Sequence, residues 1–197
     1  MITSKSQLQL PLTGKKIVVN PGHGGKDDGA TYPAGPGGIH EKDVVLVLAQ
    51  KLEPLLVKAG AKVAMTRNTD VYMTLPEIDA VTAAEKPDAF ISIHLNAYPK
   101  DLSVHGATTY FWYPESEAYA SIVLKSLTKE APALDAAGKR VLKENFYVID
   151  HTEVPAILVE VGYLSNDRDR SLLTDPKFQA LVAQGLANGI IEFLTKP

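Results

Sequence analysis

Cysteine is absent from all 197 residues, which excludes disulfides and thiolate ligands together. A tight metal site would therefore have to use His, Asp and Glu. No apolar run approaches the ~20 residues that a membrane-crossing helix needs. The opening MITSKSQLQLPLTG also lacks the basic-then-apolar order of a secretory signal. No membrane association is expected, and the chain as written carries no address. Basic residues are not in excess: 20 Lys and Arg face 23 Asp and Glu, for a net charge of -3. That leaves no global positive field for nucleic acid or an anionic bilayer. Internal repeats and low-complexity tracts are missing too. With 45% hydrophobic and 22% charged residues, the composition is that of a globular protein, and the length suits one domain with a sizeable core.

What the chain does contain is alternation. Residues 1–14 are polar, lack periodicity and read as a linker or leader outside the core, so the domain is placed at 15–197. KIVVN (16–20) reads as a strand, EKDVVLVLAQKLEPLLVKAG (41–60) as a helix and AKVAMT (61–66) as a second strand, which together make a βαβ unit. In that helix Val44, Val45, Leu48, Leu52, Leu55 and Leu56 form one apolar stripe, and Gly60 stands where a C-terminal cap belongs. Pro54 is expected to kink or divide it. Further helices are read at about 74–85, 115–131 and 175–196, the last opening on Asp175 as N-cap with Pro176 in its first turn. DAFISIHLNA (88–97), GATTYFWY (106–113), FYVI (146–149) and AILVEVG (156–162) complete the strands. The fold class is α/β: a single domain with a mostly parallel central sheet of about six strands and helices on both faces.

Ligands of open α/β sheets bind beyond the carboxyl ends of the strands, and the unusual polar residues fall there. His23 lies three residues past the first strand within VVNPGHGGKDDGA, His94 follows the apolar stretch 89–93, and Glu160 sits inside AILVEVG. Glu41 opens the helix after the glycine-rich loop. Two imidazoles and a carboxylate are the set a catalytic zinc uses when a fourth position stays open for water, and a further glutamate could serve as the base. The chemistry suggested is metal-assisted hydrolysis. Glycines at 22, 24 and 25 would let backbone turn sharply and pass close to the metal or substrate.

Each residue also has an ordinary explanation. His23 alone reads as a loop residue, and Glu41 as a charge that suits a helix N-terminus. His94 in a buried strand needs a partner. Glu160 carries most weight, because a carboxylate among branched apolar residues is costly unless paired, coordinated or functional. His40 could replace Glu41 with a small shift of register, whereas His105 and His151 read as loop residues. GHGGKDDG matches neither nucleotide-binding glycine pattern, and Asp27 and Asp28 would repel a phosphate.

VVNPGHGGKDDGA, HEKDVVLVLAQKL, GAKVAMTRNTD, FISIHLNA and PAILVEVGYLSN resemble, in order and spacing, the zinc-dependent N-acetylmuramoyl-L-alanine amidases of the amidase-3 type, over about residues 15–195. The resemblance implies hydrolysis of the amide between N-acetylmuramic acid and L-alanine in peptidoglycan, with one Zn2+ per chain. It makes His23, Glu41 and His94 the metal ligands, and Glu160 the general base and then the acid for the leaving amine. Asn96, Lys26, Asp28 and Tyr32 flank these positions and are assigned to substrate, Asn96 by a hydrogen bond to the peptide. Asn20 stands where the family usually has aspartate; if it orients His23, an amide makes that ligand less basic. Ile78 stands where an arginine is usual. Arg67 and Asp70 of TRNTD are read as a pair that holds a loop. Some relatives, switched on by partner proteins during cell division, plug the site with an extra helix. Little length is spare for one between His94 and Glu160, so an open groove, no obligatory activator and a monomer are expected. The parent protein would work in the periplasm or cell wall. A zinc exopeptidase or carboxypeptidase, or a non-catalytic wall-binding module, are the alternatives.

Overall fold

Short β-branched runs bounded by turns become strands here, and the stripe-bearing segments between them become helices. The computed structural model describes residues 9–138 and 140–196. In chain order the elements are β1 (Lys16–Pro21), β2 (Thr31–Tyr32), β3 (Ile39–His40), α1 (Glu41–Lys58), β4 (Lys62–Met65), α2 (Leu75–Glu85), β5 (Ala89–Asn96) and β6 (Thr108–Phe111). There follow α3 (Glu117–Glu130), β7 (Val141–Lys143), α4 (Tyr147–Asp150), β8 (Ala156–Tyr163), α5 (Asp167–Leu173) and α6 (Pro176–Thr195). Six strands form one sheet in the order β4-β1-β5-β8-β6-β7, parallel throughout except that β6 runs antiparallel to β8. β2 and β3 pair separately as a small antiparallel ribbon in front of α1. The single α/β domain with a mostly parallel six-stranded sheet and helices on both faces is as expected.

Alternate residues of a strand point to opposite faces, so each strand feeds two cores. Ile17, Val19, Ile91, Ile93, Ile157, Val159 and Val161 lie on one face beneath α1, α3 and α6. Val18, Phe90, Ala156 and Leu158 lie on the other beneath α2 and α4, which contribute Ile78, Val148 and Ile149. Each fully buried aliphatic side chain contributes roughly 1.5–3 kcal/mol by leaving water. Ile78, at the position where the resemblance led us to expect an arginine, is simply part of the smaller core.

Three expectations change, and one helix is new. FYVI is not a strand: Tyr147–Asp150 is a helical turn, with the Asp150 amide donating to the Phe146 carbonyl at 3.0 Å, and the sixth strand is Val141–Lys143. A four-residue apolar run has no period that separates the two states, and the need to bury Val148 and Ile149 side by side against α2 decides it. Pro54 neither ends nor divides α1, which runs unbroken to Lys58. Pro54 and Gln50, whose carbonyl loses its helical donor, are both exposed, so water can satisfy that group. Residues 1–8 lie outside the described residues, but Leu12 of the supposed leader is fully buried in the larger core, its amide donating to the Ala59 carbonyl at 2.9 Å. Finally, α5 had no apolar stripe to announce it.

Candidate metal centre

The loop after β1 is shaped around two imidazoles. His23 has φ of 60°, left-handed backbone that a β-carbon disfavours, and such strain gathers at functional sites. A β-carbon on Gly22 would overlap the His94 ring, and one on Gly29 would meet both the His23 ring and the Glu41 carboxylate. Only glycine lets backbone pass that close. The loop is fastened by Arg67, which is buried and donates to the carbonyls of Pro21 at 3.0 Å, Gly22 at 2.7 Å, Lys42 at 2.9 Å and Thr69 at 3.1 Å. His23 Nδ1 lies 2.9 Å from Asp27 Oδ2, and Asp27 Oδ1 accepts from the Gly29 amide at 3.1 Å. The far nitrogen of His23 is thereby aimed at Glu41.

Glu41 is the first residue of α1 and is buried. Its Oε2 accepts from the Ala30 amide at 2.8 Å and its Oε1 from the Leu95 amide at 2.9 Å. Oε1 also lies 3.1 Å from His23 Nε2 and 3.0 Å from His94 Nδ1. Among the described residues, His23, Glu41 and His94 are the group whose ligand atoms all fall within 4.8 Å of one another. Four ligands on a tetrahedron at bond lengths of ~2.0–2.1 Å sit roughly 3.3 Å apart, so a divalent ion fits with little movement. Burial opposes charge on both Glu41 and His23, but their mutual hydrogen bonds win: the carboxyl is held well below its usual range, and His23, aided by Asp27, is raised to about 9.

Glu160 stands directly beside His94 in the β5–β8 pairing. Its Oε2 is buried with no hydrogen-bond partner among the described residues. Desolvation raises its pKa from 4.5 to about 7, with His94 and His23 pulling down and Glu41 pushing up. A buried orphan carboxylate facing two imidazoles is what a nearby cation would compensate. The donor set and this orphan oxygen both fit a metal ion.

The Amidase_3 family model, described as N-acetylmuramoyl-L-alanine amidase, matches residues 17–192. The chain belongs to this family. Among curated amidases, the probable cell wall amidase LytH of Staphylococcus epidermidis is 36% identical over 185 residues, covering 94% of this chain and 60% of that protein. LytH of Staphylococcus aureus is 34% identical over 190 residues. The chain thus spans about three-fifths of the length of the curated relatives it matches. The catalytic domain of CwlV, an N-acetylmuramoyl-L-alanine amidase from Bacillus (Paenibacillus) polymyxa, superposes with a TM-score of 0.83 at 35% identity, over 91% of this chain and 98% of that one. The amidase AmiC2 of Nostoc punctiforme gives 0.86 at 31% identity, over 93% and 99%. The CwlD amidase of Clostridioides difficile, solved in complex with the GerS lipoprotein, gives 0.84 at 26% identity, over 91% and 98%.

Other residues of this Amidase_3 domain sit differently from expectation. Asn20 does not reach His23. Its amide donates to Ser92 Oγ at 2.8 Å and accepts from Thr66 Oγ1 at 2.7 Å, joining β5, β1 and the end of β4 in a buried chain. Asp27 supplies the carboxylate on His23, a role visible in sequence only as a four-residue spacing. Arg67 does not pair with Asp70 but holds the loop through carbonyls, while Asp70 accepts from the Gly25 amide at 2.7 Å and lies 3.3 Å from Lys42 Nζ. Lys42 Nζ also meets Asp28 at 2.8 Å, so Asp28 is committed to an ion pair. Tyr32 lies under the Arg170 guanidinium at 4.7 Å, and Lys26 stands over the Tyr72 ring at 4.4 Å. Asn96 Oδ1 accepts from the Ala97 amide at 2.8 Å. His40 meets Thr31 Oγ1 at 2.9 Å, outside the metal cluster, and His151 stacks on Tyr147 at 3.7 Å. His105 has a buried Nδ1 without a partner among the described residues.

Proposed function

We propose that the chain hydrolyses the amide between the lactyl group of N-acetylmuramic acid and L-alanine in peptidoglycan. Zn2+ would be held by His23, Glu41 and His94. One observation carries the chemistry: the buried, unpaired carboxylate of Glu160 stands beside His94 at the edge of the two-histidine, one-carboxylate cluster. When bound, the ion supplies a Lewis acid for the amide carbonyl and acidifies water towards a pKa of ~7. Glu160 takes the proton of the attacking water and returns it to the leaving nitrogen as the C–N bond breaks, leaving a lactyl carboxylate and a free L-alanine amine. Burial works against the charged form of this carboxyl, the direction that helps a base also return the proton it has taken. Ala30 and Leu95 amides fix Glu41, Asp27 orients His23, and Arg67 holds the intervening loop.

An exopeptidase would need a cation to grip a free peptide carboxylate. The arginine next to the site, Arg67, is already engaged by four carbonyls, which disfavours that reading. Asn96, Lys26, Asp28 and Tyr32 remain proposed substrate contacts at the rim, with Asp28 and Tyr32 needing to leave or share their present partners. The kinship with cell wall amidases supports action at the wall, outside the cytoplasm. Among the described residues the α-helices between β5 and β8 are α3, packed on the larger core, and the short α4, packed beside α2. A groove that works without an activator stays part of the proposal, set against the CwlD amidase solved with the GerS lipoprotein.

Digesting purified peptidoglycan with the zinc-loaded protein and weighing the products tests the proposal. New L-alanine amines paired with lactyl carboxylates are expected. Released amino acids would indicate an exopeptidase, and cut glycan strands a glycosidase. Zinc and peptidoglycan both bound with nothing cleaved would indicate a binding module.

A further inference from the structure

The row of side chains that begins at the metal cluster does not stop at Glu160. His94 pairs with Glu160 across β5 and β8, and Glu160 pairs with Thr108 across β8 and β6. Directly paired residues share a face, so these three side chains line one course across the sheet. Thr109 pairs with Val141, which puts Arg140 next to Thr108 on the strand beyond, and the Arg140 Nη1 lies 3.5 Å from Thr108 Oγ1. α2 and α4 cover this face over Val18, Phe90, Ala156 and Leu158, with Tyr110, Trp112 and Phe146 packed against that cluster. Further across, Tyr110, Leu142 and Arg140 are half-buried, so the row reaches the surface at its outer end.

Arg140 makes no ion pair among the described residues. Among the described residues its hydrogen bonds go to the Ala137 carbonyl at 3.2 Å and the Thr108 hydroxyl, and no carboxylate touches it. Tyr110 forms the wall, its ring edge-on to Phe146 at 5.1 Å. Burial, with Glu160 and Tyr163 adding to it, pushes the Tyr110 phenol up to about 12, so it stays a hydrogen-bond donor. Guanidinium and phenol are donors at the half-buried outer end of this row, the Arg140 guanidinium resting on the buried Thr108 hydroxyl, and such donors receive a carboxylate.

Because Glu160 hands its proton to the leaving nitrogen, the leaving peptide lies on the Glu160 side of the ion, running towards β6; this step rests on the hydrolase reading above. Strands are ~4.8 Å apart, so Arg140 is two strands, or ~10 Å, beyond Glu160. An extended peptide advances ~3.4 Å per residue, so that gap is about three residues. We propose that Arg140, with Thr108 and Tyr110, forms a subsite for a carboxylate carried by the stem peptide about three residues beyond the amide that is cut.

The test uses two synthetic muramoyl-peptides that differ only in whether the stem carboxylates are free or amidated. Both are given to the zinc-loaded wild type, Arg140→Gln and Arg140→Lys, and both kcat and KM are measured, with equilibrium binding of each peptide alongside. The wild type is expected to favour the free carboxylate by about tenfold or more in KM. Arg140→Gln is expected to lose that preference, and Arg140→Lys to keep part of it. A preference that survives Arg140→Gln, or is absent from the wild type, overturns the subsite. If Arg140→Gln does not fold, the loss must appear in part in Arg140→Lys, or the subsite fails. If the wild type cleaves neither peptide, the hydrolase reading has failed instead, and the subsite stands or falls on whether Arg140→Gln abolishes the difference in binding between the two peptides.

Discussion

The two faces of the central sheet are built from the same strands and diverge as they near the carboxyl rim. On the face under α1, α3 and α6 the side chains remain apolar to the end: Ile91, Ile93, Leu95 on β5 and Ile157, Val159, Val161 on β8. On the other face each strand turns polar: Val18 gives way to Asn20, Phe90 to Ser92 and His94, Leu158 to Glu160. One face is committed to burial throughout. The other is anchored by burial at its amino half and spends its carboxyl half on chemistry. A two-residue period permits this division, because neighbours in sequence never share a face.

If the division is real, a change at the polar end should alter chemistry while the fold stands. Glu160→Gln keeps the shape and removes the base. Hydrolysis of muropeptide is expected to fall by about 10²–10⁴-fold, the range of general acid–base catalysis, with one zinc per chain retained. Metal lost together with activity would make Glu160 a ligand and erase the distinction between binder and base. The matching change on the apolar face is Ile93→Ala, one residue from His94. It is expected to cost about 2–5 kcal/mol of unfolding free energy in denaturant titration, with zinc still bound by the folded fraction. Zinc affinity falling as far as stability would mean that the two faces are not separable.

How much of this was legible beforehand follows from the same geometry. Strand β5 and the helix α1 could be read because burial imposes a period, and His94 and Glu160 stood out because they interrupt an apolar context. Residues whose role is to hold backbone carry no such contrast. Arg67 and Asp70 invited pairing because they are close in sequence, yet Arg67 is drawn to four carbonyls left over where the loop bends. Asn20 stands where a side chain that orients His23 could be, but it points across the sheet to Ser92 and Thr66, which needs an amide's donor and acceptor together. Leu12 belongs to the core although nothing in its neighbourhood repeats. Apart from Thr69 and Lys42, the hydrogen-bond partners of Arg67 and Asn20 lie 45 to 72 positions away, beyond any local pattern.

The polar end also carries a cost that acidity can reveal. In the metal-free protein Glu160 has a pKa of about 7 against an ordinary 4.5. The unfolded chain therefore gives up this proton first, and stability falls as pH rises from about 4.5 to about 7, then levels. At about 1.4 kcal/mol per unit, the gap amounts to at most about 3 kcal/mol. Glu160→Gln, freed of metal with a chelator, is thus expected to be more stable than the wild type at pH 8 and no more stable at pH 4. His23, raised to about 9, stabilises below 6.5 and loses that contribution as pH rises through 9. Equal pH profiles for the two would mean that the Glu160 carboxylate is solvated after all.

The smallest change sharpens the comparison most, because it leaves every ligand in place. Asp27 sits on the far side of His23 from Glu41, its Oδ2 2.9 Å from Nδ1. A carboxylate there makes the imidazole a better donor to the ion and fixes which nitrogen faces it. Asp27→Asn can still accept through its amide oxygen, so orientation survives while the charge is lost. Zinc affinity, measured by competition with a chromophoric chelator, is expected to drop about tenfold, and Asp27→Ala to drop further, up to about a hundredfold. The weakening should be larger at pH 8 than at pH 7, since Asp27 also helps to raise His23 to about 9 and its loss relieves proton competition for that imidazole most at the lower pH. If instead Asp27→Asn binds zinc as tightly as the wild type, the hydrogen bond matters only as a strap on the loop. Orientation of His23 would then come from its left-handed backbone and the absence of a β-carbon at Gly29, which a Gly29→Ala variant would expose.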